Sequence, residues 1–396
     1  MSATGRRWRI RARTPEGALP DTPYPPLVRH LLWHRDVRSA EEAARFLSPT
    51  PAAEHDPLLL PGMTEAVSRL QRAIRDGETI AVFGDFDVDG VTASALLTEG
   101  LRGLGARVMP YMPDRFSEGY GLNVGALETL ARDGATLMIS ADCGSSSLSE
   151  VAHAAGLGLE VIILDHHSLT PDPSTGSGQA LPSAVATVNP KRDDSHYPER
   201  ELTSVGLAYK AMGALYEAAG RPFEAGRYLD LVALGTVADV APLLGENRWL
   251  VQRGLTAIAK AERAGLRALI GSAGLAPERI DVEAIGYLLA PRLNAAGRLA
   301  HAGLAFDLLL AKDEEEATSL ASHLGALNQE RQRQQAAAMA TVAELLADED
   351  DGAPLIFVGH PDISAGIVGI VAGKLAEDRY RPAIVYELGE ATSRGS

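Results

Sequence analysis

From residue 79 onward the polar and apolar positions of this chain alternate between two rhythms. Short apolar runs at 79–83, 107–111, 136–141, 160–164 and 184–188 have the length of buried strands. Between them, a segment starting near Thr92, then 125–133 and 147–155, repeat apolar residues at helical spacing. Strands alternating with helices predict an α/β domain with a mostly parallel sheet. Upstream, 39–47 opens with Ser39 and carries Glu42 three places later, a capping-box signature. Residues 63–76 read as an amphipathic helix, 171–183 as a Gly/Ser/Pro loop, and 203–271 as mainly helical. The stretch 311–348, rich in Ala, Glu, Gln and Leu, is the longest helical candidate and predicts a connecting helix. Strand, helix and strand then follow at 355–358, 367–376 and 383–386. The expected organisation is an N-terminal segment (1–60), an α/β domain with a helical extension (61–310), a connecting helix (311–349) and a partial second α/β domain (350–396).

Composition narrows the functional classes. Hydrophobic residues make up 46% of the 396, ample for packed domains. No apolar run reaches the roughly 20 residues that span a bilayer, so no membrane partner is expected. The N-terminus is basic, but no apolar stretch follows it, which argues against a secretory signal. Cys143 is the single cysteine, so a disulfide within the chain is excluded and a reducing cytoplasm is the natural setting. A cysteine-rich zinc site is excluded as well. Any metal must be held by carboxylate and imidazole, which suits Mn²⁺ or Mg²⁺. The net charge of −15 counts against passive coating of nucleic acid. It does not count against an enzyme that places cations between its own carboxylates and a phosphate.

Candidate chemistry gathers at the ends of the apolar runs. In GDFDVDG, Asp85, Asp87 and Asp89 sit two apart after the first run. In an extended segment they would point to one side and repel one another unless a cation neutralised them. A solvated acidic loop is the plain alternative. A calcium loop of the EF-hand type needs a Glu at position 96, which is Leu96. Asp142 ends the run LMISADCG, and Asp165, His166 and His167 end EVIILDHH. The carboxyl ends of parallel strands are where ligand sites form in open α/β sheets. Asp239 follows the apolar run of LVALGTVADV, where a buried unpaired carboxylate is costly; a helix or turn cap is the alternative. The strand tips bearing 87, 142, 166 and 239 are expected to converge and hold two cations, with Asp142 as the bridging ligand. For phosphate recognition the candidates are Arg115 in DRFSEGYGL, Arg292, Asn294 and Arg298 in PRLNAAGRL, and the TSRGS stretch ending at Ser396. Each arginine, taken singly, also fits a surface ion pair.

GDFDVDG, ADCG, DHH and GTVADV, in that order, resemble motifs I to IV of the DHH phosphoesterase superfamily. APRLNAAGRL, DRFSEGYGL and SAGIVGIVAGKLAEDRYRPAIV resemble the RecJ family, bacterial exonucleases specific for single-stranded DNA, from about residue 25 to the end. The resemblance implies a DHH domain and a DHHA1 domain joined by a long helix, with the active site in the groove between. It implies two Mn²⁺ or Mg²⁺ ions on Asp87, Asp89, Asp142, His166 and Asp239, a catalytic set of Asp85, Asp165 and His167, and Arg115, Arg298 and Ser396 at the 5′ end of the strand. It further implies 5′-to-3′ release of mononucleotides in repair and recombination, with single-strand-binding protein and a RecQ-type helicase as partners. A DHH phosphodiesterase acting on short oligonucleotides or cyclic dinucleotides is the alternative, and such relatives carry a GGGH motif where this chain has SAGIVGIVAGK. Phe83 stands where many relatives have His before the acidic loop. RecJ proteins continue past the position of Ser396 into a GSxRS motif and an OB-fold. The second domain is therefore expected to be truncated, and the chain as it stands is expected to bind and digest DNA weakly.

Overall fold

A computed structural model describes residues 10–19, 22–47, 54–171, 178–347 and 353–396. Most of the basic N-terminus and the middle of the 171–183 loop lie outside the described residues. Five strands, β1 (Thr79–Gly84), β2 (Arg107–Tyr111), β3 (Leu137–Ala141), β4 (Glu160–Leu164) and β5 (Ala186–Val188), form one sheet in the order β2-β1-β3-β4-β5. Every pairing is parallel. Alternation along each strand feeds two cores. Ile80, Val82, Leu137, Ile139, Ile162 and Leu164 face the helices Val88–Gly103, Ser204–Ala218 and Leu229–Ala238. Ala81, Phe83, Met138, Val161 and Ile163 face Val124–Arg132 and Leu148–Gly156. Because the sheet is buried on both faces, its strands read as continuous apolar runs.

The topology fixes where a site can form. From β1 the chain crosses to β2 on one side and then returns to β3 on the other. The point where this direction reverses leaves a crevice at the carboxyl ends of β1 and β3. Asp85 and Asp142 follow those two ends, and the Asp85 N–H donates to the Ala141 carbonyl at 3.1 Å.

One sequence expectation needs correction here. The helix after β1 begins at Val88 rather than near Thr92, so the acidic motif is not extended. Asp87 is its N-cap, accepting from Gly90 N–H at 3.1 Å, and Asp89 lies in its first turn. The helix can start this early because Gly90 has no side chain. A Cβ there would stand 2.7 Å from backbone atoms of Asp85. The periodicity missed the start because this helix is buried on nearly every side and has no polar face.

Two short helices, Pro26–Trp33 and Ala40–Leu47, pack on Leu19, Leu32, Val37 and Ala43 in a small core of their own. The capping box is present: Ser39 Oγ accepts from Glu42 N–H, and Glu42 Oε2 from Ser39 N–H, both at 3.1 Å. The connecting helix spans Glu314–Ala347, roughly 51 Å at 1.5 Å per residue. Its buried residues Ala317, Ala321 and Leu324 join the core of the large sheet that holds Ile80 and Leu137, and Ala338 and Val342 join a separate C-terminal core. That C-terminal core packs the helix Val368–Arg379 against β6 (Ile356–His360) and β7 (Ala383–Glu387), which are parallel. β8 (Arg394–Gly395), within the TSRGS stretch, runs antiparallel to β7. Among the described residues, no helix is long and apolar enough to cross a membrane.

Candidate metal centre

The expected convergence occurs, but not only from strand tips. Asp85, Asp142, His166 and His167 come off β1, β3 and β4, whereas Asp87 and Asp89 open a helix and Asp239 closes Leu229–Ala238. Three sets of side chains could each hold a cation: Asp85, Asp87 and Asp142; Asp89, His166 and Asp239; and Asp142, His166 and His167. Within each set the ligand atoms lie within 4.8 Å of one another. Asp142 and His166 each belong to two sets, which places Asp142 where a bridging carboxylate would stand. Its backbone lies in the left-handed region, at φ 69°, a conformation that Asp tolerates better than most residues.

The electrostatics are those of a cation site. Asp85 is buried and its carboxyl is pushed up to about 7, by burial first and then by Asp87. Asp89 and Asp142 are driven up in the same way, by burial and then by neighbouring aspartates. Asp239 rises to about 6 through burial and Asp87. His166 falls to about 4, because burial and then His167 disfavour its cation. Its neutral ring puts Nε2 at 3.2 Å from Asp142 Oδ1, 3.8 Å from Asp89 Oδ2 and 3.9 Å from Asp239 Oδ2. Yet Nε2 makes no hydrogen bond, and Asp85 Oδ1 is equally buried and unpartnered. Orphaned acceptor atoms among crowded carboxylates are costly, and a divalent cation satisfies both. The donor set fits the metals expected from the sequence.

The surrounding residues hold these groups in place. Asp165 Oδ2 accepts from Ser145 N–H at 2.9 Å, and Asp165 Oδ1 lies 2.7 Å from His167 Nδ1. The imidazole lowers the Asp165 carboxyl, and Asp165 raises His167. Ser204, which the sequence reading missed, donates its hydroxyl to Asp142 Oδ1 at 3.0 Å and its N–H to Asp89 Oδ2 at 2.7 Å. Val205 N–H adds a bond to Asp89 Oδ1 at 2.9 Å. Asp89 thus sits over the N-terminus of the helix Ser204–Ala218, where an anion is favoured. Tyr120 was also missed. Its hydroxyl lies 3.3 Å from His167 Nε2, and its ring meets Phe86 edge-on at 6.2 Å. The acidic and imidazole motifs drew the reading, and these neutral residues carry no signal without a fold.

The proposed phosphate binders separate into two groups. Arg115 lies over the Phe86 ring at 4.7 Å and feels Asp85 and Asp87. Arg298 reaches the segment before the helix Val368–Arg379, donating to Gly366 O at 3.3 Å, and Asn294 is half-buried one turn away on the same helix, Ala290–Leu299. Arg292 turns back onto the Leu288 carbonyl of its own segment, and burial alone lowers its pKa. Ser396 is exposed and pairs through its backbone with Val385. Arg394 of the same stretch donates to Phe116 O at 2.6 Å, tying β8 to the Arg115 loop. Phe83 is fully buried and stacks on Tyr111 at 5.5 Å.

This doubly covered parallel sheet, with an Asp–His–His tip and an acidic helix start at its switch point, is that of the DHH class. The DHH family, N-terminal domain, matches residues 79–236. The chain is 40% identical to the single-stranded-DNA-specific exonuclease RecJ of Bacillus subtilis over 92% of this chain and 45% of that one. It is 38% identical to RecJ of Dickeya dadantii over 98% of this chain and 68% of that one. The solved structure of RecJ from Thermus thermophilus in complex with Mn²⁺ superposes with a TM-score of 0.80 at 33% identity, covering 96% of this chain and 53% of that one. The chain belongs to the RecJ family. It spans from under half to about two thirds of the length of these curated relatives.

Proposed function

We propose that the chain carries the catalytic centre of a 5′-to-3′ exonuclease specific for single-stranded DNA, releasing mononucleotides in DNA repair and recombination. The observation that carries this reading is the pair of buried, unpartnered atoms, Asp85 Oδ1 and His166 Nε2, within a cluster of carboxylates around Asp142. Asp87, Asp89, Asp142, His166 and Asp239 would hold two Mn²⁺ or Mg²⁺ ions, with Asp142 bridging. Bound cations would lower the pKa of water and offset charge on the phosphate. His166 is neutral at physiological pH and so offers a lone pair without first losing a proton. Asp165 holds the His167 ring by its Nδ1 side, and with Asp85 these two form the catalytic set. Arg115 and Arg298, with Asn294, Arg292 and Ser396, would orient the strand from the second-domain side. We divide the chain into an N-terminal segment to residue 60, the DHH domain to 310, the connecting helix to 349 and a DHHA1 domain from 350. The protein would work in the cytoplasm with single-strand-binding protein and a RecQ-type helicase.

The test is a single-turnover assay on a 5′-phosphorylated single strand with Mn²⁺. Mononucleotides should appear from the 5′ end and disappear with a chelator or in Asp142→Asn. Cleavage of duplex DNA at the same rate, or release from the 3′ end, would overturn the reading.

A further inference from the structure

The connecting helix contributes more than length. Three arginines from three separate segments, Arg115, Arg298 and Arg331, lie close enough that both of the others depress the Arg298 guanidinium, after burial itself, to about 10. Arg331 is half-buried on Glu314–Ala347, the helix against which Ala290–Leu299, bearing Arg298, is packed. None of the three has an ion pair with a carboxylate among the described residues. Their contacts are a ring face for Arg115, a backbone carbonyl for Arg298 and side-chain amides for Arg331. The contrast within the same molecule is direct: buried Arg69 meets Glu78 and Glu160, and buried Arg263 meets Glu99 and Asp230. Asp87 acts on Arg115 and Arg298 only from beyond ion-pair distance. Cations that crowd one another with no paired carboxylate are unfavourable, and an incoming anion relieves them. Arg331 is also held ready. Buried Asn328 Oδ1 accepts from its Nε at 3.2 Å and Nη2 at 3.0 Å, and Gln335 Oε1 from its Nη1 at 3.2 Å. These neutral acceptors fix the guanidinium without cancelling its charge.

We propose that Arg331 is a third phosphate-binding residue, which joins Arg298 and Arg115 in a pocket for a backbone phosphate of the single strand. This rests on the nuclease reading and deepens it: the connecting helix touches substrate, so the pocket spans the DHH domain and the helix that leads to the second domain.

The test is the affinity of the full chain for a nuclease-resistant, 5′-phosphorylated single strand in Mn²⁺, measured across salt concentrations. Arg331→Gln should weaken binding by about tenfold or more, as loss of a charge-assisted contact implies. The slope of log affinity against log salt should fall by roughly 0.7, the share of one phosphate contact. Arg331→Lys, which keeps the charge, should lose less. The melting temperature of Arg331→Gln without DNA should hold or rise at low salt, since a repelling cation is gone. If Arg331→Gln binds with wild-type affinity and slope while Arg298→Gln binds weakly, the proposal falls and the nuclease reading stands. A lower melting temperature with an unchanged slope would mean that Arg331 only braces its helix, and would also overturn the proposal. If the wild-type chain binds no single strand, both readings fall together.

Discussion

Asp165 Oδ1 takes two hydrogen bonds from His167, one from its backbone N–H at 3.0 Å and one from ring Nδ1 at 2.7 Å. The carboxylate therefore fixes both the position and the tautomer of the ring, leaving Nε2 toward Tyr120. Asp165→Asn keeps the shape but offers an amide that can bond to the ring with either end. Loss of such an orienting partner lowers activity by about 10- to 100-fold. We expect the loss in kcat rather than in KM for the strand, with the circular dichroism spectrum unchanged. A matching loss in KM with kcat intact would refute a positioning role.

Asp142 is the best point at which to separate metal binding from folding. Its carboxylate is buried and raised by burial and by Asp89, Asp87, Asp85 and Asp165, so without a cation it is a liability to the fold. Its left-handed backbone suits Asn nearly as well as Asp. Asp142→Asn should therefore melt at or above the wild-type temperature in chelator, and should lose the rise that Mn²⁺ confers on the wild type. That rise follows from ligand binding to the native state alone. Asp142→Ala should melt lower than Asp142→Asn, because Ala is strained at φ 69°. Differential scanning fluorimetry with and without Mn²⁺ reads all three.

Much of this centre was legible before the fold was known, and the reason is chemical. Asp85, Asp142 and Asp165 to His167 each follow an apolar run long enough to be a buried strand, and parallel strands bring their carboxyl ends to one edge. The acidic motif was read as extended because its spacing of two matches a strand. The helix that begins there is buried all round and so shows no polar stripe. Asp239 stands beside Asp89 and His166, as expected of its motif, although it leaves a helix. Ser204, Tyr120 and Arg331 were illegible for a different reason. Ser, Tyr and Arg are common, Ser204 and Arg331 lie outside every motif, Tyr120 is a neutral member of DRFSEGYGL, and only tertiary contacts reveal what they touch. In the TSRGS stretch, the bond from Arg394 to the Phe116 carbonyl is likewise visible only in the fold.

The amino ends of β1, β3 and β4, opposite the site, offer a test of acid stability. Arg69 Nη2 lies 2.7 Å from Glu78 Oε2, and Thr136 Oγ1 donates to the same oxygen at 2.7 Å. These bonds, Arg69 first, hold the Glu78 carboxyl below its usual 4.5. A carboxyl lowered in the folded state binds fewer protons there than in the unfolded chain, so stability grows as pH rises through that range. The contribution is fully present above about pH 4.5 and is lost as pH falls through the lowered value. Glu78→Gln should therefore be less stable than wild type at neutral pH. The gap should close on acidification below the ordinary carboxylate range. Urea midpoints at a series of pH values, taken in chelator, give the two curves. Parallel curves would mean that Glu78 does not titrate as a partner of Arg69.

Gly366 sets how closely the segment before the helix Val368–Arg379 approaches the helix Ala290–Leu299. A Cβ there would stand 2.1 Å from the Arg298 carbonyl, while the Gly366 carbonyl accepts from Arg298 Nη1 at 3.3 Å. Gly366→Ala must push the two segments apart, which costs about 1–3 kcal/mol by overpacking and displaces the guanidinium proposed to meet the strand. Displacements near 1 Å cost roughly 100-fold in reactions that depend on positioning. We expect kcat/KM on a single strand to fall by about 10- to 100-fold, chiefly through KM. The Mn²⁺-induced rise in melting temperature should persist, because every group of the cation centre lies between residues 85 and 239, away from the Gly366 segment. Gly373→Ala is the control. It lies inside the helix Val368–Arg379, a Cβ there meets nothing within 4 Å, and Ala is favoured over Gly in a helix by about 0.5–1 kcal/mol. That variant should melt slightly higher and cleave at the wild-type rate. If Gly366→Ala also cleaves at the wild-type rate, the Arg298–Gly366 contact does not position the strand.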